Sequence, residues 1–483
     1  MKKGDILQGT VYDTSFPNKG KIKVEDKTVS VKGVLKGQEV LFRLKRNGAE
    51  KAEGELKEVL KPSPDETEAP ACPAFGECGG CFMQTVSYEK QLSMKEYHIK
   101  KLLAPVIRNK DVEFLPIQGS PLAHAYRNKV EFAFGNAFKD GPMLLGFHRK
   151  NSMFDIVSGT DCALVHEDVR LIAKATEQFA LQSGLDFYHR STGSGFFRHV
   201  LVRRAQKSGE ILVNVIHTTQ VEYDFTKLTE ELLKLPLQGK IVGILHTKND
   251  SIADAIRNDG TEILYGADRI TEELLGLTFE ISTFSFFQTN SLGAEVLYGV
   301  VRDMVGETKD KVIFDLYSGT GTIGQILAPV AKKVIGIEII AEAVEAAKDN
   351  AKRNGLSNCE FLAGDVLKKL DEIKEKPDFI VLDPPREGVV PKALQKIIDY
   401  GVNGMVYISC KPTSLANDLE ALQDAGYRVE KICAVDLFPQ TPHIETVVLL
   451  GKITDGPKDY VKIGLDVEDY YKIKDVQNKP GIE

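Results

Sequence analysis

Several cysteines have the types and spacing of residues that do chemistry. Cys72, Cys78 and Cys81 lie within ten residues, and two glycines between the last two allow the chain to fold tightly around whatever the thiols hold. Three thiolate ligands need a fourth, and Cys162, in the loop-like segment SGTDCALVH, is the most available one. Zinc and an iron–sulfur cluster both bind thiolates, so the spacing predicts a four-cysteine metal site without choosing between them.

A glycine-rich segment indicates a nucleotide-like cofactor. The run GTGTIG at 319–324 fits G-x-G-x-x-G between a strand and a helix, a weak pattern by itself. Glu338 ends the following strand, where a carboxylate can accept both ribose hydroxyls of an adenosine, and Asp365 ends the next. An NAD-dependent enzyme would fit too, but its glycine pattern normally opens the domain, and here about 310 residues precede it. S-adenosylmethionine is the favoured cofactor.

A further cysteine, Cys410, ends a predicted buried strand in the segment SCKP, at the edge of the sheet where open α/β folds bind ligands. A thiolate that adds to carbon 6 of uracil makes carbon 5 able to attack a sulfonium methyl group. The proton on carbon 5 must then be removed, and Glu445 in the segment PHIET is the candidate base. His443 is a second candidate for that role.

The elements that must position these residues divide the chain into several domains. Short alternating strands predict a β-barrel at 1–60, followed by a Pro- and acid-rich linker at 61–71. Mixed helices and alternating strands predict an α+β central domain at 72–300 that carries the four-cysteine site. From 301 to 452, buried-type strands alternate with helices, which predicts a Rossmann-like α/β domain. The tail at 453–483 matches no pattern.

Composition and charge limit the possible classes of protein. The 483 residues include 62 Lys and Arg against 69 Asp and Glu, a net charge of −7 that argues against nonspecific coating of nucleic acid. The first 60 residues alone hold 13 basic against 9 acidic side chains, so the barrel is a candidate RNA-binding module. The sequence contains neither a membrane span nor a signal peptide, which predicts a cytoplasmic protein without membrane contact. No feature implies a protein partner.

The motifs DLYSGTGTIG, DPPREG, SCKP and HIET together resemble the uridine-5 RNA methyltransferases that act on ribosomal and transfer RNA. The resemblance extends through about residue 452. It implies that Cys410 is the nucleophile and Glu445 the general base. It also implies a set of residues that line the S-adenosyl-L-methionine site, namely Gln288, Tyr317, Glu338, Asp365 and Asp383.

The same resemblance gives identities to the N-terminal features. Residues 1–60 look like a TRAM domain, an OB-like RNA-binding barrel. Family members with this cysteine run carry a [4Fe–4S] cluster, which implies that its ligands are Cys72, Cys78, Cys81 and Cys162. Transfer-RNA members generally lack both features, so the implied substrate is large-subunit (23S) ribosomal RNA. The alternatives are the same chemistry on transfer RNA, or a non-catalytic iron–sulfur protein that binds RNA during ribosome assembly.

RNA must present its uridine to the buried thiol, so aromatic and basic side chains are candidate contacts. Three phenylalanines, Phe284, Phe286 and Phe287, are available to stack on an extruded base. The basic clusters that could contact phosphates are Tyr126-Arg127-Asn128-Lys129, His148-Arg149-Lys150, Arg198-His199 and Arg203-Arg204.

Overall fold

The computed structural model describes residues 1–48, 51–253 and 255–453. The tail at 453–483, which matches no sequence pattern, lies outside the described residues from position 454 onward. Within the described ranges, no helix is both long and apolar enough to cross a lipid bilayer.

A closed five-stranded barrel forms the N-terminal part of the chain, as the alternating sequence predicts. Alternate residues point inward, and the barrel core contains Val11, Ile22, Val31 and Phe42. The strands close in the order β1-β2-β3-β5-β4, with β1 paired to β4. Their bounds are β1 (Ile6–Ser15), β2 (Lys19–Val24), β3 (Lys27–Lys32), β4 (Glu39–Asn47) and β5 (Ala52–Lys61).

The segment after the barrel contributes to the C-terminal sheet. Helix α1 (Tyr88–Leu103) packs against helix α9 near the C-terminus, and the short strand β6 (Glu113–Phe114) pairs in parallel with strand β21. The ranges of those two partners are α9 (Pro412–Asp424) and β21 (Tyr427–Val435). Residues far apart in sequence therefore share one core, because Ile99 and Leu103 of α1 are buried among the side chains of the C-terminal sheet.

The central part, for which the sequence predicts an α+β domain, contains a largely antiparallel sheet in the order β13-β12-β11-β10-β7-β8-β9. One pair, β11 and β12, runs parallel, and α3 lies in the connection between them. The elements are β7 (Lys129–Asn136), β8 (Met143–His148), β9 (Ile156–Ser158), α2 (Glu167–Ser183), β10 (Phe197–Arg204), β11 (Glu210–His217), α3 (Thr226–Leu233), β12 (Lys240–Lys248) and β13 (Thr261–Gly266).

The C-terminal part is the predicted Rossmann-like fold. A hairpin of β14 (Arg269–Leu274) and β15 (Leu277–Ser282) leads into α4 (Ser291–Val305), which packs on the sheet. The sheet order is β18-β17-β16-β19-β20-β22-β21-β6, and β16 to β20 are mutually parallel. The remaining elements are β16 (Thr308–Leu316), α5 (Thr322–Leu327), β17 (Ala331–Glu338), α6 (Ala341–Arg353), β18 (Cys359–Ala363), α7 (Val366–Glu372), β19 (Phe379–Leu382), α8 (Pro391–Tyr400), β20 (Gly404–Ser409) and β22 (Glu445–Lys452).

Candidate functional site

The sheet brings Cys410 and Glu445 to the same edge. Cys410 follows β20 directly, at the carboxyl end of a parallel strand. Strand β22 runs antiparallel to β20, with Ser409 opposite Thr446, so the start of β22 meets the end of β20. Residues 35 positions apart in the chain thereby become neighbours across one strand pair.

The electrostatic surroundings of the thiol include both signs of charge. Burial raises the pKa of Cys410, and the carboxyl groups of Glu445 and Asp383 raise it further. The guanidinium of Arg386 opposes this rise by its charge and by a side-chain hydrogen bond to Cys410. Arg386, in the segment DPPR, thus stands where it can stabilise a thiolate.

Glu445 is only 4 % exposed. Burial and the nearby Asp383 raise its pKa to about 8, while Arg386 acts in the opposite direction. A buried carboxyl group with a pKa near neutrality suits a residue that must take a proton from a substrate. His443, the second candidate base, lies at the surface.

No pattern in the sequence indicates a functional role for Tyr298, which lies in the apolar helix α4. Its buried hydroxyl forms a hydrogen bond with the side chain of Gln288. Burial raises its pKa, and the charges of Asp383 and Glu445 raise it further, so the hydroxyl stays protonated among these acids. Tyr298 therefore links the predicted cofactor residue Gln288 to the predicted base.

The glycine-rich turn after β16 forms a close-fitting loop. Gly321 has a φ of +71°, and a Cβ there would stand 2.5 Å from Phe361 and 2.8 Å from the Cβ of Ala347. Asp315, inside β16, accepts a 2.8 Å hydrogen bond from the amide of Gly324 through Oδ2. Its buried Oδ1 has no hydrogen-bond partner among the described residues. Burial, then Asp383, raises the pKa of Asp315 to about 7.

The other predicted cofactor residues surround this turn. Glu338, at the end of β17, accepts hydrogen bonds from the amides of Gly319 and Ile340, at 3.0 and 2.9 Å. Each carboxylate oxygen keeps a lone pair that a ribose hydroxyl could use. Tyr317 follows β16, and its pKa is raised to about 12 by burial and by the charge of the nearby Asp365.

Asp383, at the end of β19, completes this set, and burial raises its pKa to about 7. The residues at this edge, with three glycines and several carboxyl groups, fit an adenosine-containing, positively charged methyl donor.

The four predicted ligand cysteines line a single cavity of about 480 Å³. Burial raises the pKa of Cys81 to about 12, and the other three thiols contribute to that rise, so the four are neighbours. Within residues 1–48, 51–253 and 255–453, no group of three or more His, Cys, Asp or Glu side chains is arranged to hold a metal ion. A [4Fe–4S] cluster binds its four thiolates on four different irons, so its ligands need not converge on one point.

The three candidate stacking phenylalanines differ in exposure. Phe287 is 5 % exposed and packs in the core, so it cannot stack on an RNA base. Phe286 is 68 % exposed and lies near Gly319 of the glycine-rich turn. Buried Arg203 fixes the backbone just before Phe286, because it donates hydrogen bonds to the carbonyls of Thr283 and Ser285.

Most of the arginines proposed to contact phosphates are used internally instead. Arg198 donates to the carbonyls of Asn249, Ser251 and Ala253, and Arg204 donates to the Asp168 carboxylate at 2.8 Å. Both guanidinium groups belong to buried residues, as does that of Arg203. The adjacent-arginine pattern therefore predicted surface charge where the structure has buried anchors for loops.

Comparison with known proteins gives one consistent family. A profile of the family described as tRNA (Uracil-5-)-methyltransferase matches residues 87–453. A protein of Clostridium tetani described as an uncharacterized RNA methyltransferase is 48% identical over 453 residues, which cover 94% of this chain and 99% of that protein. A similarly described protein of Caldanaerobacter subterraneus is 48% identical over 452 residues, covering 94% of this chain and 100% of the relative.

A solved structure resembles the whole architecture. It is the tRNA (uracil-54, C5)-methyltransferase of Pyrococcus abyssi in complex with S-adenosyl-L-homocysteine, with a TM-score of 0.72 and 25% sequence identity. The match covers 92% of this chain and 100% of that chain, so it includes both the barrel and the Rossmann-like part.

Proposed function

The chain belongs to the tRNA (uracil-5-)-methyltransferase family, whose members are S-adenosylmethionine-dependent RNA uracil-5 methyltransferases, and we propose that Cys410 is its nucleophile and Glu445 its general base. The observation that carries this proposal is the pairing of β20 with β22, which sets the thiol and a buried carboxyl group side by side at the ligand-binding edge.

The chemistry requires both groups. Cys410 loses its proton to solvent, Arg386 stabilises the resulting thiolate, and the sulfur forms a bond to carbon 6 of uracil as the electron pair of the 5,6 double bond moves to carbon 5. The electron pair placed on carbon 5 would then form a bond to the sulfonium methyl of a bound S-adenosylmethionine, while the methyl–sulfur bond breaks and its electron pair leaves with S-adenosylhomocysteine. Glu445 then takes the proton from carbon 5, and the returning electron pair restores the double bond and expels the thiolate of Cys410.

Five residues are proposed to hold the methyl donor: Gln288, Tyr317, Glu338, Asp365 and Asp383. Their positions around the glycine turn support this, as does the unpartnered Oδ1 of Asp315 beneath it. The carboxylate of Glu338 is proposed to bind the ribose, and Asp383 and Gln288 lie nearer to Tyr298 and the reacting groups.

We propose that Cys72, Cys78, Cys81 and Cys162 bind a [4Fe–4S] cluster. The support is one cavity lined by all four thiols, together with the family resemblance of the cysteine run. Iron and sulfide analysis of anaerobically purified protein should give about four of each per chain, and Cys162→Ser should lose them. Stoichiometric zinc in place of iron would refute the cluster.

The substrate proposed first is 23S ribosomal RNA, on the resemblance of the barrel and the cysteine run to ribosomal-RNA members. Transfer RNA is the second candidate, because the Pyrococcus abyssi enzyme named for a tRNA position matches this chain over 92% of its length. The presence of the barrel alone therefore does not separate the two. Mapping 5-methyluridine in both RNA pools, with and without the gene, assigns the substrate to one of them.

Trapping with 5-fluorouridine RNA tests the mechanism. A base can remove hydrogen from carbon 5 as a proton but cannot remove fluorine in this way. The wild-type protein should therefore stay covalently bound to this RNA in the presence of the methyl donor. Cys410→Ala should form no complex, whereas Cys433→Ala, which changes a buried cysteine within β21, should form it normally. A complex formed by Cys410→Ala would contradict the assigned nucleophile.

A further inference from the structure

Glu445 is delivered to the site by a connection that other parts of the chain hold in place. The connection joins β21 to β22 over residues 436–444 and is called here the base loop, because Glu445 follows it immediately. Its midpoint, Gln440, has a φ of +69°, in the left-handed region that residues other than glycine seldom adopt. Such a conformation persists where the surroundings fix it.

Gln440 is fixed by helix α1 through a reciprocal contact. The Nε2 of Gln91 donates to the side-chain oxygen of Gln440 at 2.9 Å, and the backbone amide of Gln440 donates to the Oε1 of Gln91 at 3.0 Å. Both residues are buried, so neither amide group can exchange its partner for water without cost. The same Nε2 also donates to the carbonyls of Met83 and Val86.

The segment that follows the cysteine run also binds Gln440, through its backbone carbonyl. The backbone amides of Phe82 and Met83 both donate to the carbonyl of Gln440, at 2.8 and 3.0 Å. Phe82 directly follows Cys81, so the segment that lines the thiol cavity is joined directly to a residue that binds the base loop.

Further buried contacts complete the support. Lys95 of α1 forms a 2.6 Å ion pair with Asp436, at the start of the loop, and donates to the carbonyl of Phe438. The hydroxyl of Tyr126 donates to the carbonyl of Pro439. With Gln440, these contacts fix the loop at several successive residues before Glu445.

We propose that Gln91 and Gln440 are positioning residues for the general base, through which α1 and the cysteine segment hold Glu445 at carbon 5 of the bound uracil. This inference rests on the proposed function of Glu445. A base displaced by even about 1 Å removes the proton much more slowly, whereas Cys410, directly after β20, has separate support from the parallel strands. The pair should therefore affect proton removal and leave thiol addition and methyl transfer unchanged.

The test separates these steps in the full-length protein. Two variants are used: Gln440→Asn keeps a side chain that tolerates positive φ but is too short to accept from Gln91, so only the backbone hydrogen bond remains, and Gln91→Ala removes both hydrogen bonds. The substrate is RNA carrying tritium on carbon 5 of uridine, and tritium release reports proton removal. Label from the methyl donor in an SDS-stable protein–RNA complex reports the preceding steps.

Both variants should release tritium about tenfold more slowly in single turnover, accumulate the labelled complex, and keep KM for RNA within about twofold of wild type. Gln423→Ala is the matched control. Gln423 is also a buried glutamine with several hydrogen bonds, to Val106, Leu419 and Arg108, but it does not touch the base loop. It should lower thermal stability without accumulating the complex.

A parallel fall in tritium release and complex formation would overturn the inference, because it would indicate general damage. So would rates for both variants that match those of Gln423→Ala. If the wild-type protein forms no complex with 5-fluorouridine RNA that it demonstrably binds, the proposed function itself fails, and the positioning role fails with it.

Discussion

Single residues at the sheet edge concentrate carboxyl groups where water is excluded. Asp315 and Asp383 have pKa values raised to about 7 and Glu445 to about 8, each mainly by burial. At neutral pH these buried groups therefore keep part of their protons, whereas exposed carboxyl groups are ionised. A cationic methyl donor at this edge favours the ionised forms, so we expect donor binding to release protons.

The buried state of Glu445 predicts a pH-dependent effect on stability. The folded pKa of about 8 lies above the unfolded value near 4.5, so the folded state binds more protons between these values and the stability of the wild type falls as pH rises through that window. Glu445→Gln cannot titrate. Its free energy of unfolding, relative to the wild type, should rise from pH 5 to pH 8 by a few kcal/mol at most, as measured by urea denaturation.

Glu387→Gln is the control for this prediction, because Glu387 is an exposed carboxylate in the neighbouring DPPREG segment. Its difference from the wild type should stay constant over the same pH range. A Glu445→Gln difference that is equally flat would mean that the carboxyl group is not desolvated in solution.

Among the structural elements, the sequence predicted best where one pattern determines one structure. The buried strands that alternate with helices gave the Rossmann-like sheet, and its carboxyl edge placed Cys410, Glu338 and Asp383 together. The alternation in the first 60 residues gave the barrel. In both cases local periodicity sets which face is buried, so no long-range information is needed.

Contacts between distant segments were beyond the reach of such patterns. Tyr298 lies in a helix whose apolar sequence suggests only packing, and its nearness to Glu445 depends on how α4 crosses the sheet. Arg203 and Arg198 look like surface charge in the sequence, because nothing local reveals the carbonyl groups that they bind. The contact between Gln91 and Gln440 spans 349 positions.

A substitution in the glycine-rich turn after β16 tests whether this turn binds the methyl donor. In Gly321→Ala the new Cβ meets Phe361 and Ala347 in a backbone conformation that disfavours alanine, so the turn must shift. We expect a loss of about 1–3 kcal/mol in stability and at least tenfold weaker binding of S-adenosylmethionine by titration calorimetry. Gly299→Ala, inside α4 with open space around it, should bind the donor normally. Equal binding by the two variants would exclude the turn from the donor site.

On the scale of the whole molecule, α1 connects the parts that the reaction needs. One end of the helix holds the base loop, its apolar face packs in the core of the Rossmann-like sheet, and its last turns hold the barrel. Buried His98 contacts the hydroxyl of Thr14 at 2.9 Å, and burial lowers the pKa of that imidazole to about 4. The orientation of the barrel is thus set by the same helix that supports the loop before the proposed general base.

The ion pair between Lys101 and Asp13 is the main polar link from α1 to the barrel. Lys101 donates to both carboxylate oxygens, at 2.6 and 2.5 Å, and to the carbonyl of Thr14 at 2.9 Å. Burial alone would raise the pKa of Asp13, but the hydrogen bonds and charge of Lys101 hold it at about 2. The pair therefore stays ionised over the whole neutral range.

Lys101→Ala should loosen the barrel without touching the methyl-donor site. If the basic barrel and the catalytic cleft bind one RNA together, a barrel free to reorient lowers the effective concentration of the second contact. We expect RNA affinity in filter binding to fall roughly threefold to tenfold, with unchanged S-adenosylmethionine affinity. Lys100→Ala removes a neighbouring lysine that pairs with Glu96 of the same helix, so it should bind RNA nearly as the wild type does. Equal losses in the two variants would mean that only the lost positive charge matters, and that a docked barrel contributes nothing to RNA binding.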